Sequence, residues 1–107
     1  MSYLIVFMTA PNREEAMKIV RTLLEERLIA CGNIVDPVSS LFWWKGKIEE
    51  EKEVLVILKS NDKLFKKLSK RIKELHSYDV PEILAFPIVD GNSSYLDWMK
   101  GILEPVK

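Results

Sequence analysis

The chain of 107 residues has few of the side chains that ordinarily carry chemistry. It holds one cysteine, Cys31, and one histidine, His76. A single cysteine excludes an internal disulfide and a CxxC carrier built on two thiolates, and it suits a reducing cytoplasm. No nucleophile–base pair is visible, and a lone histidine is not a catalytic constellation, so an enzyme is not expected. Sixteen basic and sixteen acidic residues cancel. That removes the global electrostatic case for nucleic acid or an anionic membrane as partner. No apolar run exceeds seven residues, too short to span a bilayer. The opening stretch MSYLIVFMTAP lacks a basic n-region, so it is not expected to be a signal peptide. No glycine-rich phosphate loop with an arginine is present, which counts against an acylphosphatase-like activity. Glutamine is absent while lysine and glutamate are abundant, a balance that leans toward a heat-adapted source.

What remains is strongly patterned. Residues 3 to 8, YLIVFM, read as a strand buried on both faces. Asn12 with Glu15 forms a capping-box signal before a helix over 13–28, whose apolar stripe is Ala16, Ile19, Val20, Leu23, Leu24 and Leu28. Residues 30–44 read as a strand broken at Asp36-Pro37, where proline implies an edge or a bulge. Lys45-Gly46-Lys47 is a turn, followed by a strand over 48–59. Asn61-Asp62 can cap a second helix with Leu64, Phe65, Leu68, Ile72 and Leu75 on its buried stripe. Residues 82–90 give a fourth strand, and Gly91-Asn92-Ser93 turns into a last helix over 93–103. With no linker or repeat, residues 1–107 read as a single domain. The fold class is α+β: a ferredoxin-like βαββαβ sandwich with an extra C-terminal helix.

The second and third strands form a long hairpin. Twelve residues of strand span about 40 Å, against a diameter of about 35 Å for a domain of this size. The hairpin therefore overhangs, and its unpaired backbone needs another edge. One face of the sheet also lacks helices. Both features predict a homo-oligomer, and a closed ring satisfies them without making filaments. Neighbouring strand residues point to opposite faces. Of Trp43 and Trp44, one is thus expected to pack in its own subunit and the other on a neighbour.

His76 carries an imidazole suited to Cu(II) or Zn(II), yet a histidine at a helix C-terminus also satisfies free carbonyls. Cys31 sits in an apolar setting, where a free thiol is usually a small buried hydrophobe. Glu49, Glu50, Glu51 and Glu53 collect negative charge, but interleaved lysines favour a solvated hairpin with cross-strand ion pairs. The lysines and Arg71 of the second helix read as its wet face. The aromatic RNP-type motif of sheet RNA binders is absent.

Six short segments, taken in order, resemble the CutA family of divalent-cation tolerance proteins. They are Thr9-Ala10-Pro11, LIACGNI at 28–34, WWKGKIEEEKEV at 43–54, ILKS at 57–60, HSYDVPEI at 76–83 and GNSSYLDW at 91–98. The resemblance implies a ferredoxin-like protomer in a tight trimer, with strands pairing between subunits. It implies clefts at the subunit boundaries, similar to those of the trimeric PII regulators. Trp44, Lys59, Tyr78, Glu82, Tyr95 and Trp98 belong to these motifs and are the expected cleft residues, where Glu82 can accept a salt bridge from Lys59 or ligate a hard cation. Some bacterial relatives carry a cysteine and two histidines at the places of Met8, Leu75 and His76. Only His76 is kept here, so His76, with Met8 and Cys31, is the donor set for a metal. The expected function is divalent-cation binding in metal tolerance by a cytoplasmic homotrimer. Copper is favoured because it tops the affinity order of nitrogen-containing sites, and tight binding is not expected. The alternative is a PII-like sensor or scaffold that takes a small molecule or a partner protein in its clefts.

Overall fold

A computed structural model describes residues 2–104. Its elements run β1 (Tyr3–Ala10), α1 (Arg13–Glu25), β2 (Cys31–Trp44), β3 (Lys47–Asn61), α2 (Phe65–Leu75), β4 (Ile83–Pro87) and α3 (Ser93–Leu103). The four strands form one antiparallel sheet in the order β2-β3-β1-β4. The α+β fold with its terminal helix and long hairpin is as the patterning predicts.

One sheet face is covered by α1 and α2. Val6, Met8 and Ala10 of β1 and Val54, Val56 and Leu58 of β3 alternate onto that face. They meet Ala16, Ile19, Val20 and Leu23 of α1 and Leu68 and Ile72 of α2 in a single core. The approach is close at Gly32. A Cβ there would lie 2.7 Å from Val20 Cγ1, so glycine lets α1 seat on β2. A smaller cluster, Ala30, Met99 and Leu103, fixes α3 beside Tyr3 and Leu64.

Helix α1 starts as the sequence predicts, with Asn12 Oδ1 accepting from the Glu15 N–H at 2.8 Å. It stops three residues before the expected Leu28. Arg27 adopts φ 56°, its N–H donates to Leu24 O, and the Leu28 N–H donates to Leu23 O. This is a Schellman closure, and it returns Leu28 to the core as a contact rather than as a helical residue. Helix α2 begins at Phe65 without a side-chain cap. The Asn61 side chain instead accepts from the Leu64 N–H, holding the turn ahead of the helix.

The hairpin does overhang. β1 pairs β3 only as far as Ala10 opposite Val54, whereas β3 starts seven residues earlier, at Lys47. Residues 47–53 pair with β2 alone. The molecule is accordingly elongated, 49 × 26 × 22 Å. At Val35/Val38 the register shifts by one residue, a bulge centred on Asp36 and the cis-linked Pro37. The extra residue reverses which positions of β2 face the helices. Before it, Ile34 faces the core and Cys31, Asn33 and Val35 face away. After it, Phe42 and Trp44 share the open side with Glu49 and Lys47, and Leu41 and Trp43 share the other.

Neither tryptophan finds cover in its own chain. Trp43 is 72% and Trp44 59% exposed, which corrects the expectation that one of them packs internally. The helices end short of the overhang, so both hairpin faces are bare. The expected cross-strand ion pairs are also not made among the described residues. Glu49 lies opposite Phe42, Glu51 opposite Ser40, and Glu53 opposite Val38.

Candidate functional site

The candidate residues fall into three separate places. The first lies on the open sheet face, at the end where β1 begins. Lys59 of β3 sits between Ile5 of β1 and Cys31 of β2, with Phe86 of β4 beyond Ile5. Its ammonium donates to Asn33 Oδ1 and lies 3.8 Å from Cys31 Sγ. Tyr95, in the first turn of α3, reaches the same thiol. Burial first, and then the hydrogen bond and charge of Cys31, hold its phenol above the ordinary range. Asn92 fixes this turn by accepting from the Ser94 and Tyr95 N–H groups. One turn on, the Trp98 ring lies 5.4 Å from that of Tyr95, tilted by 41°.

The second place is the far end of β1, where the segment after α2 crosses the sheet. His76 is buried. Its Nε2 lies 2.7 Å from Thr9 O, and a carbonyl only accepts, so Nε2 carries the proton. Nδ1 then accepts from the Tyr78 N–H at 3.0 Å. Glu15 Oε2 stands 3.5 Å from Nδ1. The same carboxylate accepts from the Ser77 N–H and hydroxyl, at 3.1 and 3.0 Å. The Tyr78 hydroxyl donates to Glu53 Oε2 at 2.9 Å. Burial, and then the bond to Glu53 and the charge of Glu53, push the Tyr78 phenol up to about 12.

The third place is the hairpin tip. Lys45 lies 5.9 Å from the Trp44 ring centroid, a cation–π distance. Lys45 and Gly46 take positive φ, 50° and 78°, as a two-residue turn requires.

The expected metal donors are not brought together. Both His76 nitrogens are engaged, leaving no lone pair for a metal while these bonds stand. Met8 is fully buried on the covered face, opposite Val56 and Ile83. Cys31 lies on the open face against Lys59. Among the described residues, no three His, Cys, Asp or Glu side chains are grouped as a metal would need. The donor set inferred from His76, Met8 and Cys31 therefore does not fit a metal within one chain.

The expected cleft set divides likewise. Lys59, Tyr95 and Trp98 belong to the first place, Tyr78 to the second and Trp44 to the third. Glu82 is exposed beside Ile83, which lies opposite Met8, whereas Lys59 is level with Phe86. Four residues of strand, about 13 Å, separate Glu82 from that level. The Lys59–Glu82 bridge is not made within the chain. Three participants escape the sequence reading: Asn33, Glu15 and Glu53. Asn33 was open to detection, since it alternates with Cys31 onto one face. Glu15 and Glu53 were read as a helix cap and a solvated carboxylate.

The arrangement has close counterparts. Residues 4–101 match the family described as CutA1 divalent ion tolerance protein. The chain belongs to the CutA1 family. The divalent-cation tolerance protein CutA of Pyrococcus horikoshii is 51% identical over 96 residues, covering 90% of this chain and 93% of that one. Its Thermus thermophilus counterpart is 46% identical over the same shares. Among solved structures, CutA1 from Oryza sativa superposes with a TM-score of 0.95 at 37% identity, over 99% of this chain and 97% of that one. The structure named as the periplasmic divalent cation tolerance protein CutA of Archaeoglobus fulgidus gives 0.92 at 41% identity, over 95% and 99%. CutA1 is thus a family named for tolerance to divalent ions, not for a catalysed reaction.

Proposed function

We propose that this CutA1 protein acts in divalent-cation tolerance as a cytoplasmic homotrimer and not as an enzyme. It collects cations between subunits rather than within one. The observation that carries the reading is the overhanging hairpin. It exposes Leu41, Trp43, Trp44 and Ile48 on two bare faces, and the open sheet face adds Leu84 and Phe86. An apolar surface of this kind marks an interaction site. Hairpins that complete neighbouring sheets in a closed ring would cover it. Copper heads the divalent first-row affinity order for oxygen donors as for nitrogen, and carboxylates also take magnesium, calcium and manganese. With His76 engaged and Met8 sealed, the available donors are the hairpin carboxylates Glu49, Glu50 and Glu51 gathered by assembly, which makes binding loose. A second reading, a PII-like sensor or scaffold, draws support from the Lys59–Tyr95–Trp98 group, which faces the surface that assembly would enclose.

Native mass spectrometry during a Cu(II) titration, with His76→Ala alongside, tests this reading. A trimer that takes up copper equally in both forms is the expected result. Copper uptake lost in the variant would restore His76 as a ligand. A monomeric wild type would overturn the assembly.

A further inference from the structure

Lys59 is half-buried on the open sheet face, beside the exposed Asn33. Its strand neighbours on the open face are Ile57 and Asn61, and across the sheet it meets Ile5 and Cys31. Among the described residues its polar partners are neutral, Asn33 Oδ1 and Cys31 Sγ. None of the ion pairs among those residues includes it. An ammonium has three donors, so at least one N–H remains to be satisfied. A charge on an apolar face needs a counter-ion once that face is covered. Tyr95, which interacts with Cys31, and Trp98, packed on Tyr95, present partly exposed rings, 42% and 46%.

We infer that Lys59, Asn33, Tyr95 and Trp98 form a recognition site for one carboxylate with an apolar or aromatic body. A single lysine matches a single negative charge. A phosphate dianion would call for further cations or a nest of backbone N–H groups, and neither is grouped here. Ile5, Ile57 and Phe86 give the site an apolar floor, and the two rings give it a wall. A few polar groups on an apolar lining is the common make-up of a small-molecule site. The carboxylate has two sources, a free small acid or an acidic side chain of a second copy of this chain. The inference rests on the small-molecule reading above.

The test uses the full chain with benzoate and 3-phenylpropionate as probes and their neutral amides as controls. Calorimetry reads binding, native mass spectrometry reads subunit number, and Lys59→Met and Lys59→Arg serve as variants. The acids bind and the amides do not; Lys59→Met weakens the acids by about tenfold or more, the size of one charge-assisted hydrogen bond; Lys59→Arg retains them. That outcome, with subunit number unchanged, assigns the site to a free acid. If no acid binds the wild type and Lys59→Met lowers the subunit number while Lys59→Arg does not, the carboxylate comes from a second copy. Amides that bind as well as acids, or no acid binding together with an unchanged subunit number in Lys59→Met, overturn the inference. Should Lys59→Met fail to fold, the ¹⁵N shift of Lys59 Nζ in the wild type decides, moving with the acids and not with the amides. The wild-type subunit number is read separately, so a failed assembly is distinguishable from a failed site.

Discussion

The two ends of the β2–β3 hairpin are continuous in backbone and opposite in circumstance. At its base, Val54, Val56 and Leu58 are buried under two helices. At its tip, Leu41, Trp43, Trp44 and Ile48 are as apolar and have nothing over them. The base owes its burial to this chain alone. The tip sets four large apolar side chains among charged ones in the position of a surface. Hydrophobicity therefore serves two ends along one ribbon: folding the protomer and, by the reading above, joining it to others.

Substitutions at the two ends should separate these roles. Leu58→Ala, in the covered core, is expected to cost about 2–5 kcal/mol of stability by opening a cavity. The subunit number should not change when it folds. Trp44→Ala should do the reverse. It empties no cavity in the chain, so protomer stability at high dilution should barely move. Assembly should weaken by about 2 kcal/mol or more, as for an aromatic interface anchor. Denaturant unfolding and sedimentation over a concentration series measure both. A Trp44→Ala protein that assembles normally, with unchanged heat resistance, would break the contrast.

How much of this was legible depends on the range of the signal. β1, α3 and the hairpin turn follow from local periodicity and capping; α3 and the turn fall where the sequence reading puts them, and β1 runs two residues past the expected residue 8, to Ala10. The end of α1 did not. Its Schellman closure uses Arg27 at the left-handed position, where glycine is the usual marker. The bulge at Asp36-Pro37 was signalled by proline, but the reversal of faces beyond it needs the count of paired residues. The role of His76 was the least accessible. Its ring is fixed by Thr9 O, 67 residues away, and by the Tyr78 N–H. A motif shows which side chains are present and not whether their lone pairs are already used. Within one chain, five of the six cleft candidates lie at three places and Glu82 lies apart from them, and the cleft expected from the motifs is one between subunits.

The smallest expected effect lies where the covered and bare regions meet. Tyr78 donates to Glu53, which the overhang would otherwise leave as a nearly buried carboxylate without a partner. Tyr78→Phe should cost about 1–2 kcal/mol near neutral pH, since it strands that acceptor. The cost should shrink in alkali. The folded phenol ionises near 12 against an ordinary 10, so in that window the folded chain keeps a proton that the unfolded chain has released. Stability of the wild type then falls as pH rises, by an amount the variant does not share. All other groups are common to both proteins and cancel in the difference. Guanidinium unfolding of the pair, near neutral pH and near pH 12, should show the gap closing. A gap of constant size would mean that the hydroxyl does not hold Glu53 in solution. The junction between the two ends of the hairpin would then rest on packing alone.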